Sequence, residues 1–275
     1  MLGKRGVVPK IFHPFCNVLG STRLRWLLAG LFFCSAAPLD ATVVTFDWPA
    51  SPGWTAGSPA PGQTKTQTFT SFYPNDLTVA INNSGAGPQG VVLQGGYPQI
   101  SVTPVTGGLG VNGLQLYASS SQVVGAYIQT TVTFATPVIN LSFQIWDVDR
   151  LAGQFADKIS NIQALAAGGA TVGADSVTSA VAGYNSISGT GLSTVVLGTA
   201  SAANNTNQGT IDITFNGPIT QFSFQWSNND AGLGAQAIAL GSLIYTPIPE
   251  NDCFFVAMLL NSAVIAFELR KRRKE

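Results

Sequence analysis

Histidine and cysteine are nearly missing from this sequence, and neither occurs in its middle. The one His is His13, and the three Cys are Cys16, Cys34 and Cys253. Residues 42–246 therefore hold no Ser-His-Asp or Cys-His nucleophile, no zinc site of His and Cys and no disulfide. Glutamate is absent from the same stretch, whose basic residues are Lys65, Arg150 and Lys158 alone. Its acids are Asp47, Asp76, Asp147, Asp149, Asp157, Asp175, Asp212 and Asp230, so the middle is acidic although the whole chain is formally neutral. Nucleic acid is excluded as a partner, because it requires a basic face. Gly107-Gly108-Leu109-Gly110 is not followed by Lys-Ser/Thr, so it reads as a loop and not a phosphate cradle. Sustained helical periodicity is missing too, while period-two alternation is frequent.

Most of the positive charge sits at the two ends. Lys4, Arg5, Lys10, Arg23 and Arg25 precede an apolar run from Trp26 to Cys34, followed by Ser35, Ala36 and Ala37. That order is the layout of a secretory signal peptide. The run is too short to cross a ~30 Å hydrocarbon layer as a helix. Residues 1–41 are thus expected to be a leader, cut by signal peptidase after Ala36, Ala37 or Ala41. Residues 247–275 form a second label. The apolar stretch 253–267 is expected to be a membrane-anchor helix, short for a span but extended by snorkelling flanks. The basic cluster at 270–274 belongs on the cytoplasmic side.

The order Pro249-Glu250, short apolar helix and terminal Arg/Lys cluster resembles the PEP-CTERM sorting signal of Gram-negative bacteria that secrete exopolysaccharide. Here Asn251 stands in the third motif position. The resemblance covers residues 248–275 only. It implies recognition at Pro249 and Glu250 by an exosortase, a membrane cysteine protease, with the body passing from the inner membrane to the cell surface or beyond. A plain C-terminal membrane anchor is the alternative.

The body, residues 42–246, is large enough for one domain with a full core. Thr42–Trp48, Thr66–Phe72, Leu77–Ile81 and Gly113–Tyr117 read as strands separated by Gly/Pro/Ser/Asn clusters. Residues 166–207 read as a loose Gly/Ala/Ser-rich region with a strand near Val195. Residues 132–149 align without gaps to 213–230, with Thr133/Thr214, Phe134/Phe215, Pro137/Pro218, Ser142/Ser223, Phe143/Phe224, Gln144/Gln225 and Asp149/Asp230 identical. Each copy reads as strand, turn at Pro, strand: a hairpin with one dry and one wet face. The expected fold is all-β, a sandwich of Ig-like or jelly-roll type in which the two hairpins pack dry face to dry face.

Asp147-Val148-Asp149 closes the first hairpin and Asn228-Asn229-Asp230 the second. Alternate residues on an extended strand share a face, so Asp147 and Asp149 point two carboxylates at one place. With Asp157 and Asp230 they are candidate Ca²⁺ ligands, hard oxygens of the kind that ion takes. Asx-turns capping strand ends are the plainer reading. A glycosidase acid/base pair is disfavoured, because the two carboxylates are adjacent in sequence and Arg150 beside them favours ionisation. Trp54, in a Pro/Gly loop, and Trp146, out of phase with its strand's dry residues, are candidate sugar-stacking rings, the alternative being packing under loops. Trp48 and Trp226 read as core.

The sequence thus leads to an exported, non-enzymatic β-sandwich of the matrix or envelope, sorted by its tail. Its role is structural or binding, with polysaccharide or matrix proteins as partners. A carbohydrate-binding adhesin and a carbohydrate-active enzyme on a jelly roll are the alternatives. No cofactor is expected beyond Ca²⁺.

Overall fold

The structure is a computed structural model. It describes residues 42–50, 52–74, 76–84, 92–93, 96–101, 110–119, 126–203, 206–230, 232 and 234–248. The expected leader, the expected anchor stretch 253–267 and the expected motif residues Pro249 and Glu250 lie outside the described residues. Strands β1 (Val44–Phe46), β2 (Thr64–Phe69), β3 (Leu77–Asn83), β4 (Val92–Leu93), β5 (Gln99–Ser101) and β6 (Gly113–Ser119) come first. The long β7 (Ile128–Trp146) follows, then β8 (Arg150–Leu151), β9 (Phe155–Ala166), β10 (Thr171–Gly173), β11 (Ser176–Ser179), β12 (Asn185–Ser188) and β13 (Val195–Gly198). The last are β14 (Ile211–Phe215), β15 (Ile219–Asn228) and β16 (Ala235–Pro247). All pairings between them are antiparallel, and they join one large sheet, with β8 attached to β9 at its margin. No helix occurs among the described residues.

β7 organises the whole. Its first half is hydrogen-bonded between β3 and β15, its second half between β14 and β16. The sheet therefore continues in two groups of strands that share one backbone, and these groups face each other. Phe143, from the second half of β7, stacks on Phe222 of β15 with centroids 4.4 Å apart. Phe134, from the first half, meets Tyr245 of β16 edge-on at 5.0 Å. Trp48, following β1, meets Phe69 of β2 at 5.6 Å. Such edge-to-face and offset pairs add about 0.5–1.5 kcal/mol each beyond the area they bury.

The sequence repeat is real, but neither copy is a hairpin. The first copy runs through Pro137 as one continuous strand, and β14 and β15 of the second copy pair with opposite halves of β7, not with each other. The two copies are instead antiparallel partners. Their register crosses where Val138 faces Ile219, residues that the repeat also aligns. Flanking strands obey the same approximate two-fold relation: β3 borders the first half of β7 as β11 borders β14, and β16 borders its second half as β9 borders β15. Pro137 is tolerated because β7 changes partners there, so no ladder N–H is required of it. Asn140, at φ 53°, then shifts the phase. Buried side chains fall on even positions from Ile128 to Phe134 and on odd positions from Leu141 to Ile145, the inversion a single extra residue produces.

The strands read near β1, β2, β3 and β6 are present, each within a few residues of its expected bounds. Of the four short strands that cross residues 166–207, β13 is the one expected near Val195, whereas β10, β11 and β12 stand where loose chain is expected. The side chains of those three are all exposed or half-exposed, so they lack the apolar alternation that would announce them.

Candidate functional site

The acidic site forms where β7 ends. After Trp146 the chain turns through Asp147 at φ 64°, a left-handed conformation that Asp tolerates better than most residues. Val148 points inward and is buried, and its N–H donates to the Gly209 carbonyl at 2.9 Å. Its own carbonyl accepts from the Asn185 amide. Asp147 and Asp149, on either side of Val148, both line one open cleft of about 220 Å³, with Tyr117, Phe155, Ser201 and Gln236 among its other walls. The expectation that alternate residues present two carboxylates to one place is thus met for this pair.

Asp157 takes a different role. It is fully buried; its Oδ1 accepts from the Trp226 indole N–H at 2.8 Å and its Oδ2 from the Asp149 backbone N–H at 3.1 Å. Its own N–H donates to the Asp149 carbonyl at 2.9 Å. It is a buckle holding the 147–149 segment to β9 and β15, and it is not among the residues lining the cleft. Asp230 also stays off the cleft. It pairs with Arg150 at 3.4 Å on the surface, an exposed bridge of about 0–1 kcal/mol. Its neighbour Asn228 caps the start of β9, its Oδ1 accepting from Ala156 N–H at 2.9 Å. The four carboxylates expected to share a cation are therefore split into a cleft pair, Asp147 and Asp149, a buckle, Asp157, and one acid, Asp230, in an ion pair with Arg150. Among the described residues no group of three or more His, Cys, Asp or Glu is placed to hold a metal ion.

Burial sets the electrostatics. Asp147 is pushed up to about 8, first by desolvation and then by the charge of Asp149. Asp149 rises to about 6 through desolvation, partly offset by the Ala202 N–H that donates to its Oδ2 at 2.8 Å. Desolvation also drives Asp157 well upward against its two donors. Arg150 does not favour ionisation of the cleft pair, contrary to the expectation from sequence, because its guanidinium reaches outward to Asp230. Near neutral pH the cleft thus holds one protonated carboxyl that can donate beside one mostly ionised carboxylate that accepts.

Gln236 on β16 is a residue that sequence reasoning passed over. It is 1% exposed, lines the cleft, and neither its Oε1 nor its Nε2 has a hydrogen-bond partner among the described residues. Leaving a buried polar group unpaired costs about 1–3 kcal/mol. The available signal was a single amide inside the run Ala235-Gln236-Ala237-Ile238-Ala239-Leu240.

The two candidate stacking rings sit elsewhere. Trp146 lies on the wet side of its strand, as its phase implies, yet it is only 4% exposed. Its indole covers Gly113 and Gly241, where an added Cβ would fall 2.6 and 2.7 Å from the ring. Its Nε1 donates to Gln144 Oε1 at 2.9 Å. No ring face is left for a sugar, and the stacking role is withdrawn. Trp54 is half-buried, its Nε1 donating to the Gly57 carbonyl at 3.0 Å and its ring 6.5 Å from Phe69. That is packing under a loop. Trp48 and Trp226 are core, as expected.

Close backbone approach holds the segment in place. A Cβ on Gly198 of β13 would fall 2.0 Å from the Asp149 carbonyl oxygen. Replacing Gly198 by Ala must therefore push the 147–149 segment away, at a cost of about 1–3 kcal/mol. The expected loss in melting temperature is about 2–10 °C. Gly168→Ala, where nothing lies within 4 Å, should leave the melting temperature nearly unchanged. Differential scanning calorimetry of the two variants checks the pair of outcomes.

Fold and cleft together define an all-β protein built on one folded antiparallel sheet, with an acidic cleft at the end of its longest strand. No protein-family model matches the chain. No curated protein matches it either. Among solved structures, the N-terminal domain of the Streptococcus gordonii adhesin Sgo0707 matches over 76% of this chain at 11% identity, with a TM-score of 0.33. The match spans 50% of that structure's length.

Proposed function

We propose that the chain is an exported, surface-retained β-sandwich protein with a structural or binding role in the extracellular matrix or envelope, and not an enzyme. The observation that carries this reading is the contrast between the body and its ends. The ends hold ten of the basic residues around two apolar runs, while the body is acidic, free of Cys and His, and held together by strand pairing and aromatic packing between two layers. Those layers are of Ig-like or jelly-roll kind. In this reading signal peptidase removes the leader, and an exosortase-like protease acts near Pro249-Glu250 while 253–267 sits in the inner membrane. The body then remains at the cell surface.

Expression with native ends in a Gram-negative host that carries an exosortase tests the proposal, by fractionation and intact mass. The expected product lacks the leader and the residues after the Pro249-Glu250 region, and lies outside the inner membrane. A leaderless product retaining Glu275 in the inner membrane rejects processing and leaves a plain anchor. A full-length, leader-bearing product soluble in the cytoplasm rejects the reading altogether.

A second reading, a carbohydrate-binding adhesin, is favoured by the cleft of Asp147, Asp149 and Gln236. The divergent pKa values of the two acids also suit an acid/base pair. Glycoside hydrolysis, however, needs carboxyls flanking the bond from two sides. Here the two come from one short segment, separated by Val148, which disfavours the carbohydrate-active enzyme.

A further inference from the structure

We propose that the cleft walled by Asp147, Asp149 and Gln236 is a binding subsite for a neutral sugar residue of a polysaccharide. The inference rests on the binding reading above and gives that reading a site and a ligand class. Three observations converge. The Gln236 amide is buried against the cleft with both its donor and its acceptor unmatched, so the missing partner must both accept and donate. A hydroxyl does both; a cation would match Oε1 and repel Nε2. The Asp149 carboxylate is the second. One oxygen is fixed by the Ala202 N–H, and the side chain still lines the cleft. Asp147 beside it accepts no hydrogen bond among the described residues. Adjacent hydroxyls of a pyranose meet such paired acceptors and donors well.

The third observation is the remainder of the wall. Tyr117, Leu151 and Phe155 supply apolar and aromatic surface for the C–H face of a sugar ring, and among the described residues no Lys or Arg lines the cleft. An anionic sugar or a phosphate would meet two carboxyls and no counter-charge. At about 220 Å³ the cleft holds several waters and is far roomier than one ion requires. Its polar, acidic and half-apolar lining is the combination that orients small ligands in general.

The test uses the full chain, purified in a zwitterionic detergent that carries no sugar. The probes are methyl glycosides of glucose, galactose, mannose, xylose and N-acetylglucosamine, their neutral homopolysaccharides, glucuronic acid and CaCl₂. Saturation-transfer NMR and titration calorimetry should show binding of at least one neutral probe. Gln236→Leu and Asp149→Asn should each weaken that binding at least tenfold. Gln236→Leu should also keep or raise the melting temperature, because it removes an unmatched buried amide. The proposal is overturned if no neutral probe binds, if both variants bind as the parent does, or if only glucuronic acid or Ca²⁺ engages the cleft. Binding accompanied by slow cleavage of a polysaccharide would support the site while rejecting the non-enzymatic reading. Failure of every sugar would leave surface sorting to be judged by the mass and fractionation data alone.

Discussion

The purified protein should lose stability as pH rises from 4 to 8. Asp147 titrates at about 8 in the folded state against 3.8 for an unperturbed Asp, and Asp149 at about 6. Between those values the folded chain keeps protons that the unfolded chain has released. Raising the pH therefore favours unfolding, and the stabilisation present below pH 4 is gone by the time the folded groups ionise. Asp149 contributes to the decline up to about pH 6, Asp147 up to about pH 8, and Asp157 acts in the same direction. A tenfold difference in proton affinity between the folded and unfolded chain is worth about 1.4 kcal/mol. A fall in melting temperature of at least about 5 °C is expected across the window. Asp147→Asn should flatten the curve between pH 6 and 8 and make the variant more stable than the parent at pH 8. Melting curves recorded by circular dichroism at half-unit steps of pH measure both. A melting temperature that rises through the window would show that the cleft carboxyls are compensated and not strained by burial.

The elements that could be read in advance are those with a dry and a wet face. β3 alternates buried and half-buried along its whole length, and the sequence places it within two residues. Pro137 misled because it reads locally as a turn, whereas its role is long-range: it stands where β7 passes from one set of partners to another. The Gly-rich 166–207 region misled for a related reason. Gly173 lies against Gly191, and Gly198 against Asp149, at distances no side chain allows; glycine there marks close approach, which composition cannot tell from looseness. Within the site, the Asp147–Asp149 pair was visible because two acids one residue apart stay close, even though Asp147 at φ 64° is turned and not extended as expected. Gln236 was not, because its meaning depends on a cleft assembled from β6, β8, β9, β16 and the segment after β7 together. The separation of Asp230 from the pair followed from Arg150, whose direction no sequence pattern fixes.

Phe222→Ala should cost about 3–5 kcal/mol, the range for truncating a buried aromatic. Folded domains of this size are stable by only about 5–15 kcal/mol, so the variant should approach the edge of folding at physiological temperature. The position is singled out by what it joins. Phe222 is fully buried on β15, stacked on Phe143 at 4.4 Å and an interplanar angle of 24°, with Phe134 at 6.2 Å. Phe143 and Phe134 lie on opposite halves of β7, so the ring rests where the two layers meet across the bend. The repeat supplies a graded test, because the residue equivalent to Phe222 in the first copy is Leu141. Phe222→Leu installs the side chain the other copy already uses, and should cost about 1–2 kcal/mol. Phe72→Ala is the contrasting case: the ring is 46% exposed, and its loss should change stability by no more than about 0.5 kcal/mol. Urea unfolding of the three variants should show midpoints falling in the order Phe72→Ala, Phe222→Leu, Phe222→Ala at a common m value. Equal midpoints for the two Phe222 variants would mean that the contact between layers is made by shape elsewhere, and that the bend in β7 is held by Asn140 and the strand ladders without the ring.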